Sequence, residues 1–303
     1  MIDSIDLAQS LAKTMRGLPL RHSDRGRADT AGKLVGQTCI FTYHEIQPED
    51  SKYLYHVTSP AFENHLSIIS SVPGNSLAGT TAQIAFDDGH RSNYENAFPI
   101  LERFEWKATF FVLAGCVGNS ANYISWEQAR EMALAGHHIA SHGWSHRVLT
   151  HCSSLELERE LSGSKHEIED RLGIEVDSIS APGGRWDERV ANACADAGYK
   201  CLFHSNPWLP GSSRMGLRLQ GRHMVTGRMD SRQLQELMQL RGARRQYLRA
   251  RYVAKERFRQ MLGDRVYHQL WCWLANWNPG EGMELEVDGP SEVNRTAGDS
   301  KSL

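Results

Sequence analysis

Short, continuously apolar runs alternate with amphipathic helical segments over the chain before residue 230. Strands are predicted at Thr38–Tyr43, Ala82–Phe86, Ala108–Leu113, His138–Ser141, Ser178–Ala181 and Lys200–His204. Continuous apolar runs, in contrast to runs of alternating polarity, are typical of strands that are buried on both faces of a parallel sheet.

The segments between these strands carry signals that mark where helices begin. Two pairs of residues have the spacing of a capping box, in which each side chain accepts a hydrogen bond from the backbone N–H of the other residue. They are Ser125 with Gln128 and Ser153 with Glu156. A further helix is predicted over Asp187–Ala197. Strands and helices in alternation predict βα units, and therefore an α/β fold built on a parallel sheet or barrel.

The pattern changes after residue 230. A helix that begins at Ser231 continues into the strongly basic stretch Arg241–Arg259, and Val266–Trp277 is apolar and rich in Trp. The remainder is rich in Gly, Glu, Asp and Ser, which is typical of disorder. The predicted organisation is a flexible lead-in at 1–35, an α/β domain at 36–230, a helical appendage at 231–278 and a disordered tail at 279–303.

Composition and charge narrow the class of protein. The 303 residues are 40% hydrophobic and 23% charged, with a formal net charge of -2, the balance of a soluble globular protein that does not bind nucleic acid. Asp3 and Asp6 argue against a secretory signal peptide, and no apolar run approaches the roughly 20 residues of a membrane span. We therefore expect a cytoplasmic protein whose six cysteines, none in a C-x-x-C pair, are reduced.

Two adjacent carboxylates, Asp87 and Asp88, follow a predicted buried strand. Charged groups next to a buried strand are costly unless they are paired or bind a metal ion. Gly89 allows a close turn directly after them, so that both carboxylates can face one site.

Two imidazoles, those of His142 and His146, follow another predicted strand. Histidines four residues apart can reach one metal ion from a helical turn or a tight loop. Two imidazoles and one carboxylate leave coordination positions for water and substrate, which is typical of hydrolytic metal sites. Such a ligand set accepts Zn, Co, Ni, Mn or Fe.

A third cluster, Pro182, Gly183, Gly184 and Arg185, also follows a predicted strand. A turn of this kind can form a wall beside a bound substrate. If the sheet closes into a barrel, all three clusters lie at the carboxyl rim, where the active sites of such barrels are found.

Taken in order and at these separations, the motifs resemble those of the NodB-homology polysaccharide deacetylases, carbohydrate esterase family four. The run 86–89 (Phe-Asp-Asp-Gly) is similar to the first family motif. The run 141–146 (Ser-His-Gly-Trp-Ser-His) is similar to the second motif. The run 107–112 (Lys-Ala-Thr-Phe-Phe-Val) is similar to the family's strand between these two motifs. The resemblance spans residues 40–207.

The resemblance implies a distorted (β/α) barrel and a metal-dependent hydrolase. Asp88, His142 and His146 would bind a divalent metal, commonly zinc in this family. Asp87 would be the general base for the attacking water, and the products would be acetate and a free amino sugar.

The third and last motifs depart from the family's pattern. Ser180 stands where the family has an arginine that orients the catalytic aspartate, and Gly183 stands where it has an aromatic residue. Arg185 is the candidate that supplies the missing positive charge. His223 is the candidate for the histidine acid of the last motif.

The predicted function is removal of acetyl groups from N-acetylhexosamine units of an oligosaccharide, a polysaccharide or a lipid-linked glycan. Six residues near the predicted rim are candidates for substrate contacts: His44, Pro182, Gly183, Gly184, Trp208 and Arg222.

The sequence is compatible with alternative functions. The changed third motif is compatible with a small non-sugar amide as substrate on the same metal site. A catalytically inactive saccharide-binding module is the other alternative, although the retained Asp87 argues against it. The basic stretch Arg241–Arg259 predicts either a solvated helix face or a peripheral membrane contact.

Overall fold

The computed structural model describes most of the predicted α/β domain and parts of the helical region that follows it. The described residues are 38–51, 53–71, 76–77, 80–208, 212–214, 216–238, 242–263 and 266. The predicted lead-in, the predicted tail and the Trp-rich segment after Val266 lie outside them.

Strands in the described residues are mostly short, as is typical of barrels in which each strand is followed by a helix or loop. They are β1 (Thr38–Tyr43), β2 (Glu45–Gln47), β3 (His56–Thr58), β4 (Ser76–Leu77), β5 (Thr80–Phe86), β6 (Ala108–Val112), β7 (His138–Ser141), β8 (Ser178–Ser180), β9 (Cys201–His204), β10 (Ser212–Arg214), β11 (Leu217–Gly221) and β12 (His223–Met224).

Eight of these strands form a nearly closed barrel in the order β11-β9-β8-β7-β6-β5-β1-β12. The pairs of strands in this order are parallel, whereas β10 and β4 add antiparallel pairs to β11 and β5. The predicted (β/α) barrel is therefore confirmed.

The barrel closes through one short segment of the chain. Arg222 alone separates β11 from β12, so this segment pairs with β9 at one edge of the sheet and with β1 at the other. The Arg222 N–H donates to the carbonyl of His204 at 3.0 Å, and the Val225 N–H donates to the carbonyl of Thr42 at 2.8 Å.

In the described residues six α-helices lie between successive strands, and two more follow the last strand in sequence. They are α1 (Ser59–Ser70), α2 (Phe98–Arg103), α3 (Trp126–Leu134), α4 (Ser154–Glu158), α5 (Ser164–Leu172), α6 (Glu188–Asp196), α7 (Ser231–Met238) and α8 (Gly242–Leu262). The predicted capping boxes are present at Ser125 and Ser153. A π-helical turn, Arg159–Gly163, joins α4 to α5.

The barrel strands are apolar on both faces. A small cluster inside the barrel consists of Ile40, Ala85, Phe111, Ala140, Cys201 and Phe203. Their neighbours in sequence, such as Phe41, Ile84 and Phe110, belong to a larger cluster that includes helix residues such as Phe62. Because successive strand residues point to opposite faces, two apolar layers require the continuous apolar runs seen in the sequence.

The helical region after the barrel begins with a helix that packs onto it. Leu234 of α7 is fully buried, and the Asn64 side-chain amide of α1 donates to the Ser231 hydroxyl at 2.5 Å. Contacts within the chain define a unit that spans Leu34–Arg245, so the boundary at residue 230 stays a prediction. In the described part of the chain, no helix is long and apolar enough to span a membrane.

Candidate metal and active site

Three predicted metal ligands converge at the carboxyl rim of the barrel. Asp88 lies two residues after the end of β5, and His142 directly follows β7. Asp88 Oδ1 lies 3.3 Å from His142 Nε2 and 3.4 Å from His146 Nε2. One donor atom from each of the three residues lies within 4.8 Å of the others, which is a spacing that one metal ion can bridge.

The backbone at this site adopts conformations that few L-residues adopt. Asp88 has a φ of 73° and His146 a φ of 62°. Side chains other than Gly enter this left-handed region at a cost, and such residues are concentrated at functional sites. Gly89 continues the turn after Asp88 with a φ of 73°, and a Cβ there would lie only 3.1 Å from Val112 Cγ1. The turn therefore directs the Asp88 carboxylate back toward the two imidazoles.

The hydrogen bonds of His142 favour a metal-binding tautomer. Its Nδ1 lies 2.9 Å from the Ser180 carbonyl, which can only accept a hydrogen bond, so Nδ1 carries the proton. In the neutral form that metal binding requires, the Nε2 lone pair faces Asp88 Oδ1, which is buried and has no hydrogen-bond partner among the described residues. A lone pair and an anionic oxygen that face each other without a shared proton fit a bound cation.

Burial and charge set the protonation of these ligands. Burial lowers the pKa of His146 to about 4, so its imidazole is neutral at pH 7 and can donate a lone pair. Burial alone would raise the pKa of Asp88, but the imidazoles of His142 and His146 hold it well below its ordinary value. Asp88 is therefore ionised. Burial lowers the pKa of His142, but the nearby carboxylates of Asp87 and Asp88 raise it above its ordinary value.

Asp87 is held by a buried arginine from the segment at which the barrel closes. Arg222 Nη1 donates to Asp87 Oδ1 at 2.7 Å, and Arg222 Nη2 donates to Asp87 Oδ2 at 3.0 Å. The two side chains are almost fully buried. Burial would raise the pKa of Asp87, but the charge of Arg222, followed by that of His142, lowers it below its ordinary value. The carboxylate is therefore ionised and fixed in orientation.

Ser180, which stands where the resemblance leads us to expect an arginine, contacts Arg222 directly. Arg222 Nη2 donates to the Ser180 hydroxyl at 2.7 Å. The guanidinium carbon lies 5.3 Å and 6.0 Å from the ring centroids of Phe111 and Phe203, which lie inside the barrel. Arg222 was predicted as a substrate contact, but it pairs with Asp87. It thus provides the positive charge beside Asp87 for which Arg185 was the candidate.

Arg185 follows the turn Pro182–Gly184, where Gly183 and Gly184 have left-handed φ values of 63° and 67°. A Cβ at Gly184 would overlap Ser205, at 2.3 Å, so only glycine fits beneath the loop after β9. The Arg185 Nε lies beside Gly183. Pro182 is buried, whereas Arg185 is partly exposed.

His223 faces away from Arg222 because successive residues of a strand point to opposite sides. Its ring lies 6.1 Å from that of Phe41, in the layer between barrel and helices, and 5.7 Å from that of Trp208. Burial lowers the pKa of His223 to about 4. Trp208 and His223, predicted separately, therefore contact each other, and no contact joins His223 to the two aspartates in the described structure.

His44 lies at the rim, directly after β1. Its ring stacks on Tyr55 with centroids 4.6 Å apart, and its buried Nδ1 has no hydrogen-bond partner among the described residues. The charge of His44 contributes to lowering the pKa of both Asp87 and Asp88, which places the imidazole near the two carboxylates.

The structure adds site residues that the sequence did not single out. His204 ends β9, its Nδ1 accepts from the Asn206 N–H at 3.1 Å, and its buried Nε2 has no described partner. The pKa of His204 is lowered to about 4, mainly by burial and further by the positive charge of Arg222. Burial is the main cause that raises the pKa of Tyr53 and of Tyr55, and the negative charge of Asp88 is the second cause. Both phenols therefore lie near this predicted metal ligand. In the sequence, the one indication that His204 belongs to the site was its position at the end of a predicted strand.

Comparisons with known proteins show which proteins this chain is similar to. Residues 75–202 match a family model described as polysaccharide deacetylase. A Bacillus subtilis relative, YxkH, is 32% identical over 124 residues, which are 41% of this chain and 44% of YxkH. The chitooligosaccharide deacetylase of Sinorhizobium fredii is 27% identical over 144 residues, which are 46% of this chain and 64% of that enzyme. The chain thus spans less than two thirds of each of these relatives.

A solved structure shares the fold. The deacetylase PplD of Streptococcus pyogenes superposes with a TM-score of 0.58 and 23% identity, over 67% of this chain and 98% of PplD. At this identity the likeness concerns the barrel and not its chemistry.

Proposed function

Because residues 75–202 belong to the NodB-homology polysaccharide deacetylase family, we propose that this protein hydrolyses the N-acetyl group of N-acetylhexosamine units. The substrate would be an oligosaccharide, a polysaccharide or a lipid-linked glycan. One observation carries the proposal: a cluster suited to a divalent metal lies beside an ionised aspartate that a buried arginine holds in place. The Sinorhizobium relative is named a chitooligosaccharide deacetylase, which is consistent with an N-acetylated sugar as the substrate.

Asp88, His142 and His146 would hold the metal ion, and zinc suits two imidazoles and one carboxylate in an open site. When bound, such an ion polarises the amide carbonyl and makes water a better nucleophile at neutral pH. Co, Ni, Mn and Fe share these ligand preferences.

Asp87 is the proposed general base. Its carboxylate is ionised, and its orientation is set by two hydrogen bonds from Arg222. Each carboxylate oxygen can accept a further hydrogen bond, so Asp87 can take the proton of the attacking water. Arg222 would act through Asp87, by keeping the carboxylate charged and aimed.

The leaving amine must gain a proton. We propose His44 for this role, because it lies at the rim directly after β1 and its buried Nδ1 has no hydrogen-bond partner among the described residues. His223, the candidate from the sequence, stays a prediction for the same role. Pro182, Gly183, Gly184 and Trp208 stay proposed substrate contacts, and Tyr53 and Tyr55 join them as aromatic surfaces near the metal ligands.

The zinc-loaded protein is expected to release acetate from N-acetylglucosamine oligomers, and removal of the metal by a chelator is expected to abolish this activity. Acetate measured before chelation, after chelation and after zinc is returned tests both expectations. Hydrolysis of small acetamides in place of sugars would favour the small-amide alternative. Tight oligomer binding by the zinc-loaded protein without acetate release would contradict the proposal and favour a binding module.

We further propose that α8 contacts an anionic membrane surface, which would place the protein at the cytoplasmic face of a membrane. The helix contains seven Arg or Lys residues and one Glu, and Val253 and Met261 are exposed at 40% and 83%. Basic amphipathic helices bind anionic headgroups and insert apolar side chains.

Co-sedimentation with lipid vesicles tests this contact. The protein is expected to bind phosphatidylserine-containing vesicles, and not pure phosphatidylcholine vesicles, in a salt-sensitive manner. Arg249→Glu with Arg257→Glu, two exposed positions, should weaken binding. Absence of binding to both kinds of vesicle would leave α8 as a solvated helix.

A further inference from the structure

A buried glutamate lies beneath the loop that carries both predicted histidine ligands. Glu160 belongs to the π-helical turn Arg159–Gly163, and only 2% of its surface is exposed. A buried carboxylate is costly unless hydrogen bonds satisfy its oxygens. Local π-helical turns are frequent at functional sites. The partners of this carboxylate therefore indicate what it does.

Its partners are donors from one loop. Glu160 Oε2 accepts from the Trp144 N–H at 2.8 Å and from the Ser145 N–H at 3.0 Å, and Oε1 accepts from the Ser145 hydroxyl. Trp144 and Ser145 lie in sequence between His142 and His146. The carboxylate therefore holds the peptide units that connect the two imidazoles.

The loop is shaped around this carboxylate. Gly143 has a φ of 87°, and a Cβ at that position would lie 2.8 Å from Glu160 Oε2. His146 has a φ of 62°, in a region that non-glycine residues enter only when their surroundings impose it. Hydrogen bonds to the two N–H groups before His146 provide such surroundings.

A second attachment comes from the same helical region. The hydroxyl of Ser164 lies 2.9 Å from that of Ser141, and the Ser141 hydroxyl accepts from the Gly143 N–H at 3.0 Å. The start of the loop is thus anchored through Ser164 and its middle through Glu160. The His142 ring is fixed separately, by the Ser180 carbonyl.

We propose that Glu160 is a positioning residue for the metal site, which sets the separation of the His142 and His146 imidazoles by fixing the peptides between them. The inference rests on the proposed metal site and deepens it. Outer groups that orient metal ligands typically affect metal affinity by roughly 10–100-fold. Glu160 is 14 residues beyond His146 and touches neither imidazole, so its effect would pass through the loop backbone.

Zinc titration of the metal-free full-length protein tests the proposal, with zinc chloride as the only ligand and calorimetry as the readout. Glu160→Ala is expected to weaken zinc binding by roughly 10–100-fold. Glu160→Gln keeps one oxygen for the two N–H groups and is expected to weaken it less. Glu158→Ala, which removes an exposed carboxylate two residues away, is the matched control and should leave zinc affinity unchanged.

Unfolding of each metal-free variant, followed by circular dichroism, separates positioning from general stability. A natively folded Glu160→Ala variant with wild-type zinc affinity would overturn the proposal, even if it melts at a lower temperature. If the Ala variant does not fold, Glu160→Gln decides, and unchanged affinity in that variant overturns it equally. Failure of the wild-type protein itself to bind zinc would reject the metal site, an outcome distinct from either of these.

Discussion

Asp87→Asn is expected to lower the rate of acetate release by roughly 10²- to 10⁴-fold while zinc stays bound, because a positioned general base contributes about that factor. The amide of Asn has the shape of the carboxylate but cannot accept a proton at neutral pH. Asp88, His142 and His146 are unchanged in this variant, so the metal ligands remain. A loss of rate without a loss of metal therefore identifies the base.

The same substitution has a structural consequence that the measurement must separate. Asn at position 87 leaves the buried guanidinium of Arg222 without a counter-charge, and breaking a buried pair costs about 3–5 kcal/mol. Rates are therefore compared per zinc-bound, natively folded molecule. Asp170→Asn, at an exposed position of α5, is the control. Acetate release by a folded Asp87→Asn variant at the wild-type rate would eliminate Asp87 as the base.

Arg222→Ala is expected to lower both the free energy of unfolding, by about 3–5 kcal/mol, and the rate of acetate release. Arg222 and Asp87 are 1% and 3% exposed, so removal of the arginine leaves an unpaired carboxylate in the barrel. Lys at this position carries the charge but cannot reach both carboxylate oxygens with a planar fork, so Arg222→Lys should recover activity only in part.

Chemical rescue distinguishes a role in catalysis from a role in folding alone. Methylguanidine at non-denaturing concentration should partly restore the rate of the Ala variant and should not restore that of Asp87→Asn. Arg218→Ala removes an exposed arginine from β11, the strand that ends directly before Arg222, and is the matched control. A folded Arg222→Ala variant with the wild-type rate would show that Asp87 does not depend on this arginine.

The pH dependence of the unfolding free energy of the metal-free protein is a further test of the ion pair between Asp87 and Arg222. The pKa of Asp87 is lower in the folded protein than its ordinary value, so the pair stabilises the fold above the ordinary pKa of an aspartate. This contribution is lost as the pH falls through the folded-state pKa and Asp87 becomes protonated. The difference in unfolding free energy between wild type and Arg222→Ala should therefore shrink in acid.

The features that the sequence determined by itself are those that depend on neighbouring residues. Strands buried on both faces need continuous apolar runs, and the run at Thr38–Tyr43 predicts β1 with its observed bounds. Capping boxes need two residues at a spacing of three, as at Ser125. His142 and His146 lie close together because only three residues of loop separate them. Asp88 joins them because parallel strands bring their carboxyl ends to one rim.

The partners of these residues were decided only by the tertiary structure. Arg222 lies 135 residues from Asp87 in the chain and reaches it because the barrel closes at Arg222, between β11 and β12. The alternation of side chains at that point turns Arg222 inward and His223 outward. Glu160 supports the loop between the histidines because a π-helical turn lies beneath it. No local spacing encodes such contacts, since each depends on how distant segments of the chain meet when the sheet curls into a barrel.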